Sequence, residues 1–324
     1  MLMTVLIPTY RRPKDLERCL NALKQQIRYA DEILITVRDT DFETWEFLKN
    51  FNYDPLPIKI LKIAIPGVVA AMNLGFESAT GDIISVTDDD AAPHPDWLQR
   101  IEGHFSADDR LGGLGGRDWM YVNGKLQDIS VHPAGSETVG RVQWFGRMIG
   151  NHHVGEGSPR DVDILKGVNM SFRKVALEGL RCDDRMKGTG AQVHFEVALS
   201  LSVKRQGWKL IYDPAVVVDH YPAQRFDEDQ RHAFNAIAWA NKAHNETVGL
   251  LDHLSSPRKI IYLAWAFLVG TRDVLGFVQL CRFLPVEKDL AFRKWLASTQ
   301  GRWQGIQTWM QPLSQAPERQ DIIC

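Results

Sequence analysis

Ile83-Ile84-Ser85-Val86-Thr87-Asp88-Asp89-Asp90 joins a short, largely apolar run to three consecutive carboxylates. The run reads as a buried strand, and the acids stand at its mouth. Neighbouring carboxylates raise one another's pKa, so three together are costly unless something cationic binds there. A divalent metal carrying a phosphorylated ligand meets that need. Mg²⁺ and its relatives are held by one or two protein carboxylates, with substrate phosphates and water completing the shell. An acidic strand-to-helix turn, in which one Asp merely bonds backbone amides, would account for the same residues. The surroundings must decide between them.

Upstream, strand and helix patterns alternate, the signature of an α/β domain with a largely parallel sheet. Thr4-Val5-Leu6-Ile7 is a continuously apolar strand stopped by Pro8. Pro13 opens a helix with Leu16, Leu20 and Leu23 at helical spacing. Glu32 to Val37 and Ile58 to Ile65 supply two further strands. A short helix containing Trp45, Leu48 and Phe51 lies between them. Pro66-Gly67 turns into a helix bearing Ala71, Leu74 and Ser78. Open α/β sheets bind ligands beyond the carboxyl ends of their strands. Thr9-Tyr10-Arg11, Asp39, Gly67 and Asp88 to Asp90 all follow strand ends, so the pattern predicts that they share one crevice.

Downstream, Leu111-Gly112-Gly113-Leu114-Gly115-Gly116 allows close approach of backbone or ligand but lacks the spacing of a dinucleotide loop. Asp118 to Arg160 is aperiodic and reads as a long loop over a site. Ordered patterns return at Ile164 to Phe172, in a helix from about Val193 to Gln206 stopped by Gly207, and in two strand-like runs, Lys209 to Tyr212 and Ala215 to Val218. From Ala223 onward the pattern is helical. The stretches Ile260 to Val269 and Phe277 to Leu280 are strongly apolar with basic flanks. Such helices either lie in a membrane interface or pack onto the catalytic domain or across a dimer.

Taken in order, Val5-Leu6-Ile7-Pro8-Thr9-Tyr10-Arg11, Asn73-Leu74-Gly75 before Ala79-Thr80-Gly81-Asp82, Asp88-Asp89-Asp90 with Pro93 and Trp97-Leu98, Gly167-Val168-Asn169-Met170, Glu196, Gly207-Trp208 and His220 form an ordered series. From about Thr4 to Pro222 the chain resembles the inverting family 2 glycosyltransferases of bacterial polysaccharide biosynthesis. The resemblance implies an α/β GT-A fold, with a mostly parallel Rossmann-like sheet flanked by helices. Residues 1–222 would be the catalytic domain, with a nucleotide-sugar-binding half at 1–117 and an acceptor half at 118–222. Residues 223–324 would be a C-terminal helical extension.

The same resemblance places Pro8, Thr9, Tyr10, Arg11, Asp39, Gly67, Asn73, Asp88 and Asp89 against the donor. The physical character of two of them agrees, because Tyr10 can stack on a base and Asp39 can accept hydrogen bonds from a base or ribose edge. Family members carry an acidic pair with a small residue near Asp39, whereas this chain has Arg38-Asp39-Thr40-Asp41. By the resemblance, Asp90 is the strongest metal candidate, Asp88 a second ligand, Asp89 a ribose or substrate contact, and His220 an imidazole ligand to Mn²⁺ or Mg²⁺. A lone histidine is as readily structural. The family's base is the Asp of a Glu-Asp pair about ten residues before a glycine-aromatic turn. This chain has Phe195-Glu196 there, which makes Glu196 the expected base and His194 a weaker contender. The bland reading of Glu196 is a first-turn residue favoured by the helix dipole.

The implied reaction is hexosyl transfer from a nucleotide-diphosphate sugar to a saccharide or lipid-linked acceptor. A nucleotidyltransferase and a non-catalytic saccharide- or nucleotide-binding partner are the competing readings. A nucleotidyltransferase would want a basic, glycine-rich phosphate loop, for which Arg11-Arg12-Pro13 is a poor substitute. The net charge of −2 argues against a nucleic-acid binder. Charge is uneven, though: between Leu254 and Gln304, eight basic residues face three acidic ones, leaving that stretch net positive by five. Four scattered cysteines without a CxxC pair, a start without a basic leader, and no apolar run of about 18 residues predict a cytoplasmic protein. Peripheral contact with the cytoplasmic membrane face and a homo-oligomer stay open.

Overall fold

The computed structural model describes residues 1–127, 137–231 and 233–311. Strands and helices alternate through the first half: β1 (Met3–Thr9), α1 (Pro13–Leu23), β2 (Glu32–Arg38), α2 (Phe42–Asn50), β3 (Ile58–Ile63), α3 (Val68–Ser78) and β4 (Ile83–Thr87). Val5, Leu6 and Ile7 are wholly buried, as a strand covered on both faces requires. Pro13 starts α1, and Leu16, Cys19, Leu20 and Leu23 face the core at helical spacing.

Then follow β5 (Ala91–Pro93), α4 (Trp97–Ala107), β6 (Leu111–Val122), β7 (Lys125–Leu126), β8 (Arg141–Val142), β9 (Met148–Ile149), β10 (Arg160–Asp161), β11 (Asn169–Arg173), α5 (Phe195–Arg205) and β12 (Lys209–His220). The main sheet has the order β10-β12-β6-β11-β4-β1-β2-β3. Its β1–β4 region is parallel, β11 runs antiparallel between β4 and β6, and β12 returns parallel to β6. One core lies on each face of this sheet. This is the expected α/β architecture. Strands from both sides of residue 117 share it.

One local expectation is met in an unforeseen place and two differ. The glycine-rich run is the start of β6 and lies inside the sheet, where a Cβ on Gly116 would stand 2.0 Å from the Val216 carbonyl oxygen. The glycines serve the close passage of backbone past backbone. Asp118 to Val122 continue that strand, so the aperiodic stretch is less of a loop than its composition implies. The part of it at 128–136 is outside the described residues. Lys209 to His220 is one strand whose register shifts between Asp213 and Val217, which splits the apolar pattern in two.

The tail becomes helical later than expected, at α6 (Ala236–His253), followed by α7 (Ser256–Leu268), α8 (Phe277–Glu287) and α9 (Asp289–Met310). Before α6 the chain crosses the sheet end as a non-helical strap. Asp227 and Asp229 accept hydrogen bonds from nearby backbone amides there, an arrangement that competes with helix. Asn235 caps α6 by accepting from the Ile237 and Ala238 amides. α6 packs on α5 at Gly249 and Ala198, and on α9 at Gly301. Buried Arg302 of α9 donates to the Leu275 and Val274 carbonyls and so fixes the start of α8. Among the described residues no helix is long and apolar enough to cross a membrane.

Candidate functional site

β4 and β12 deliver their last residues to the same end of the sheet. Asp88, Asp90 and His220 each offer a ligand atom there, all within 4.8 Å of one another. Asp90 and His220 are buried, while Asp88 is half-buried. His220 Nε2 and Asp90 Oδ1 face each other at 3.4 Å, yet both lack a hydrogen-bond partner. Two buried ligand atoms without hydrogen-bond partners, one imidazole nitrogen and one carboxylate oxygen, beside a second carboxylate suit a divalent cation. The donor set, two carboxylates and an imidazole, is one that Mn²⁺ accepts.

His220 is held from behind. Its Nδ1 lies 3.4 Å from Asp118 Oδ2, on the neighbouring strand β6. Asp118 is wholly buried and also accepts from Lys166 Nζ. Burial lowers the imidazole pKa, but Asp118 and Asp90 outweigh it and raise the value to about 9. Asp118 is itself held below the usual carboxylate range; its burial is overcome by Lys166 and His220. An imidazole whose second nitrogen is tied to a carboxylate is fixed in orientation, as metal-ligating histidines commonly are.

The three aspartates have separate tasks. Asp89 is wholly buried and turned away from the cleft. It accepts from Thr9 Oγ1 at 2.7 Å and pairs with Arg12 at 2.9 Å. Burial, only partly offset by Arg12, raises its pKa to about 7. Asp90 accepts from the Ala223 amide at 2.9 Å, with Arg12 at 3.2 Å and Arg231 at 3.6 Å. Burial opposes its ionisation, but His220, Arg12 and the Ala223 amide hold its pKa well below the usual range. Burial and the Asp90 charge raise that of Asp88. Asp88 alone of the three lines the cleft.

That cleft encloses about 260 Å³. Pro8, Thr9, Tyr10, Gly67, Asp88, Glu196 and His220, all anticipated from the sequence, line it. β2 and the residue after it present three buried polar atoms without hydrogen-bond partners, Thr36 Oγ1, Arg38 Nε and Asp39 Oδ1, the last two forming an ion pair at 3.8 Å. Thr36 and Arg38 line the cleft, and Asp39 stands beside them. Gly67, at φ +103°, starts α3 where a Cβ would meet Gln192 Oε1 at 2.2 Å. The Val68 and Val69 amides donate to Gly190 O and Gln192 Oε1, which seats the 189–191 wall of the cleft on the α3 N-terminus.

Asp89, expected against the donor, is engaged with Thr9 and Arg12 instead, and two further anticipated residues lie outside the cleft lining. Asn73 clamps α3 to the following layer, donating to Cys182 O and accepting from the Cys182 amide. Arg11 adopts φ 58°, donates its amide to Asp41, and lies over the Phe226 ring outside the cleft lining. Its neighbour Arg12 is the inward cation. Sequence reasoning also passed over Lys166, Asp118, Arg225, Phe226 and Arg231. Phe226 meets Tyr10 edge-on at 6.4 Å, so the strap forms a wall of the cleft. Lys166 sits immediately before the quoted Gly167-Val168-Asn169 motif, the one signal that pointed to it.

Glu196 enters from the opposite wall, in the first turn of α5. Burial, partly offset by its own backbone amide and reinforced by the Asp88 charge, pushes its pKa up to about 7. His194, at the N-cap in a left-handed conformation, is driven down to about 3 by burial and the Lys242 cation. A carboxylate poised near neutrality suits proton abstraction. A neutral His194 has little basicity to offer.

The sequence model of Glycosyl transferase family 2 matches residues 4–162. Residues 4–162 belong to that family. A glycosyltransferase named AglE from Haloferax volcanii is 26% identical over 272 residues, 83% of this chain and 80% of AglE. S. aureus TarS 1–349, solved with UDP-GlcNAc, superposes with a TM-score of 0.61 at 14% identity, covering 94% of this chain and 82% of TarS. The mannosyltransferase PcManGT from Pyrobaculum calidifontis, solved with GDP-Man and Mn²⁺, gives 0.60 at 16% identity, covering 93% and 87%. The fold is therefore GT-A, and the family 2 protein described here is a glycosyltransferase.

Proposed function

We propose that this glycosyltransferase moves a hexose, with inversion, from a nucleotide-diphosphate sugar to a saccharide hydroxyl, using Glu196 as base. The observation that carries the reading is the pairing, across one cleft, of an Asp88–Asp90–His220 ligand set with a carboxylate titrating near neutrality. Solved proteins of the same fold hold sugar nucleotides, and one of them Mn²⁺.

Each part of the cleft has a matching part of the donor. Tyr10 supplies an aromatic face, and Thr36, Arg38 and Asp39 supply unsatisfied polar atoms for the base and ribose. Asp88, Asp90 and His220 would hold the cation, which when bound neutralises the diphosphate and acts as a Lewis acid on the leaving oxygen. Arg12 and Arg231 already face Asp90 and place further positive charge at that end. In this reading residues 1–117 carry most of the donor contacts, while 118–222 bring Glu196, Lys166 and His220.

Glu196 accepts the acceptor hydroxyl's proton as that oxygen attacks the anomeric carbon from the face opposite the leaving diphosphate. Attack from that side inverts the configuration. Lys166, which acts electrostatically on both Glu196 and Asp118, favours the ionised base. The acceptor is a saccharide, and a lipid-linked form suits the helical tail described next.

The test is incubation with a panel of sugar nucleotides, saccharide acceptors and Mn²⁺ or Mg²⁺. Release of nucleoside diphosphate with an inverted anomeric centre by NMR, lost in Glu196→Gln, supports the reading. Metal-dependent donor binding with no turnover across the panel would contradict it.

A further inference from the structure

The tail divides into two layers. α6 packs on α5 and α9 packs on α6, with Phe292, Leu296 and Trp303 of α9 still exposed, whereas α7 and α8 form a hairpin with an outward apolar face. Residues 260, 264 and 268 make an i, i+4, i+8 stripe on α7, with Ile260 71% and Leu268 60% exposed. On α8, Phe277 is 56% and Val286 79% exposed, with Val278 and Leu284 between them also open. A tight bridge between Gly270 and Leu275 joins the helices.

Cations surround this face. Arg272, Arg282, Lys288 and Arg293 are exposed and have no carboxylate partner among the described residues; Arg272 and Arg282 instead lie near the Phe283 ring. The acids nearby are engaged, Asp273 with Lys242 and Glu287 with Lys294, leaving Asp289. A basic, apolar, unpaired helical face complements a surface that is both anionic and apolar.

Its position has a purpose. Asp273, in the hairpin turn, pairs with Lys242 of α6 at 3.1 Å. The His194 ring, two residues before Glu196, lies against the main chain of Lys242. Asn241, beside it, donates to Glu228 of the strap. The hairpin turn therefore adjoins the Glu196 side of the cleft, the side an acceptor must enter.

We infer that the α7–α8 hairpin is a docking surface for an anionic lipid bilayer, which presents a lipid-linked acceptor to Glu196. The inference deepens the lipid-linked reading of the acceptor, yet docking is measured without donor or acceptor. It needs no spanning segment. Apolar side chains enter the headgroup boundary while Arg272 and Arg282 meet lipid phosphates.

The experiment is flotation of the full chain with vesicles of phosphatidylcholine alone or mixed with phosphatidylglycerol. Binding to the mixed vesicles, weakened by salt, is expected. Arg272→Glu with Arg282→Glu, or Phe277→Glu with Val278→Glu, should each lower the bound-to-free ratio about tenfold or more. Thermal melting and nucleotide release from donor alone should stay as in the wild type, because these side chains are exposed and none of them lines the cleft. Absence of flotation, equal binding to both vesicles, or binding unchanged in both double variants overturns the inference. So does a dimer in light scattering that Phe277→Glu with Val278→Glu dissolves, since a second copy would then cover the face. Flotation without any nucleotide release would leave docking standing and remove the donor reading instead.

Discussion

At the ends of β4 and β12, charged groups are buried and turned toward one another; along α7 and α8 they are exposed and turned outward. Asp89, Asp90 and Asp118 are wholly buried, each with a cation or imidazole close by. Arg272 and Arg282 have no such partner among the described residues and lie near the half-buried Phe283 ring. Buried charge is tolerated only when it is matched, so a buried cluster that still carries unsatisfied atoms points to a ligand. Exposed charge costs little and points to nothing by itself. Only its association with an uncovered apolar face gives it meaning. In the proposed reading the first region holds a small, highly charged molecule in a fixed pose, and the second meets a broad surface in many poses.

The contrast predicts steep effects in the cleft and graded ones in the tail. Glu196→Gln should lower transfer by roughly 10²- to 10⁴-fold, the usual worth of a positioned general base. Donor affinity should be nearly unchanged, as checked by titration calorimetry. A parallel loss of donor binding would make Glu196 a binding residue rather than the base. Asp118→Asn should weaken Mn²⁺ binding by about 10- to 100-fold, the scale on which residues behind a metal ligand act. Electron paramagnetic resonance of free Mn²⁺ measures this without catalysis. Unchanged affinity would mean that Asp118 supports the sheet and not His220.

The pH dependence follows from the sign of the Glu196 shift. Its pKa is raised to about 7, so the fraction of ionised base falls as pH drops through 7. Turnover should fall about tenfold for each unit well below that value. The mutant Glu196→Asp, without the same desolvated position, should show a displaced limb in a rate profile at saturating metal. The smallest effect belongs to the tail. Asn235→Ala removes the α6 cap and should cost about 1 kcal/mol of stability by denaturant unfolding. Donor and Mn²⁺ affinity should be unchanged, since the cleft does not depend on that cap.

How far these features were legible in the sequence depends on whether a pattern is local. The strands and helices of the first hundred residues follow from apolar spacing, Pro13 and Gly67, and they lie where the periodicity puts them. Strand-end position brought Thr9, Tyr10, Gly67 and Asp88 together, because topology alone places strand ends along one edge. Asp118 was invisible. It lies in the far half of β6, where the aperiodic sequence from Asp118 onward reads as a loop, and its partner His220 is about a hundred residues away on the neighbouring strand. Arg12 was overlooked in favour of Arg11 because the choice between adjacent residues rests on backbone twist, here the positive φ of Arg11. The stretch after Pro222 reads as helix, since hydrogen bonds such as that from the Ala191 amide to Asp227, which hold its described residues as a strap, cannot be seen in composition. Asn73 sat in a quoted motif, yet its side chain is consumed by Cys182. In the tail, apolar runs and basic flanks were evident, but which helices are covered depends on packing with α5.

The central claim is that Asp88, Asp90 and His220 make the cleft a metal-dependent sugar-nucleotide site, with Glu196 acting on the acceptor from across it. Calorimetric titration of the preferred sugar nucleotide, with and without Mn²⁺, into wild type, Asp90→Asn and Glu196→Gln tests it most directly. The account predicts Mn²⁺-dependent binding in the wild type and in Glu196→Gln, and its loss in Asp90→Asn. Donor binding that ignores Mn²⁺, or that survives Asp90→Asn unchanged, would contradict it.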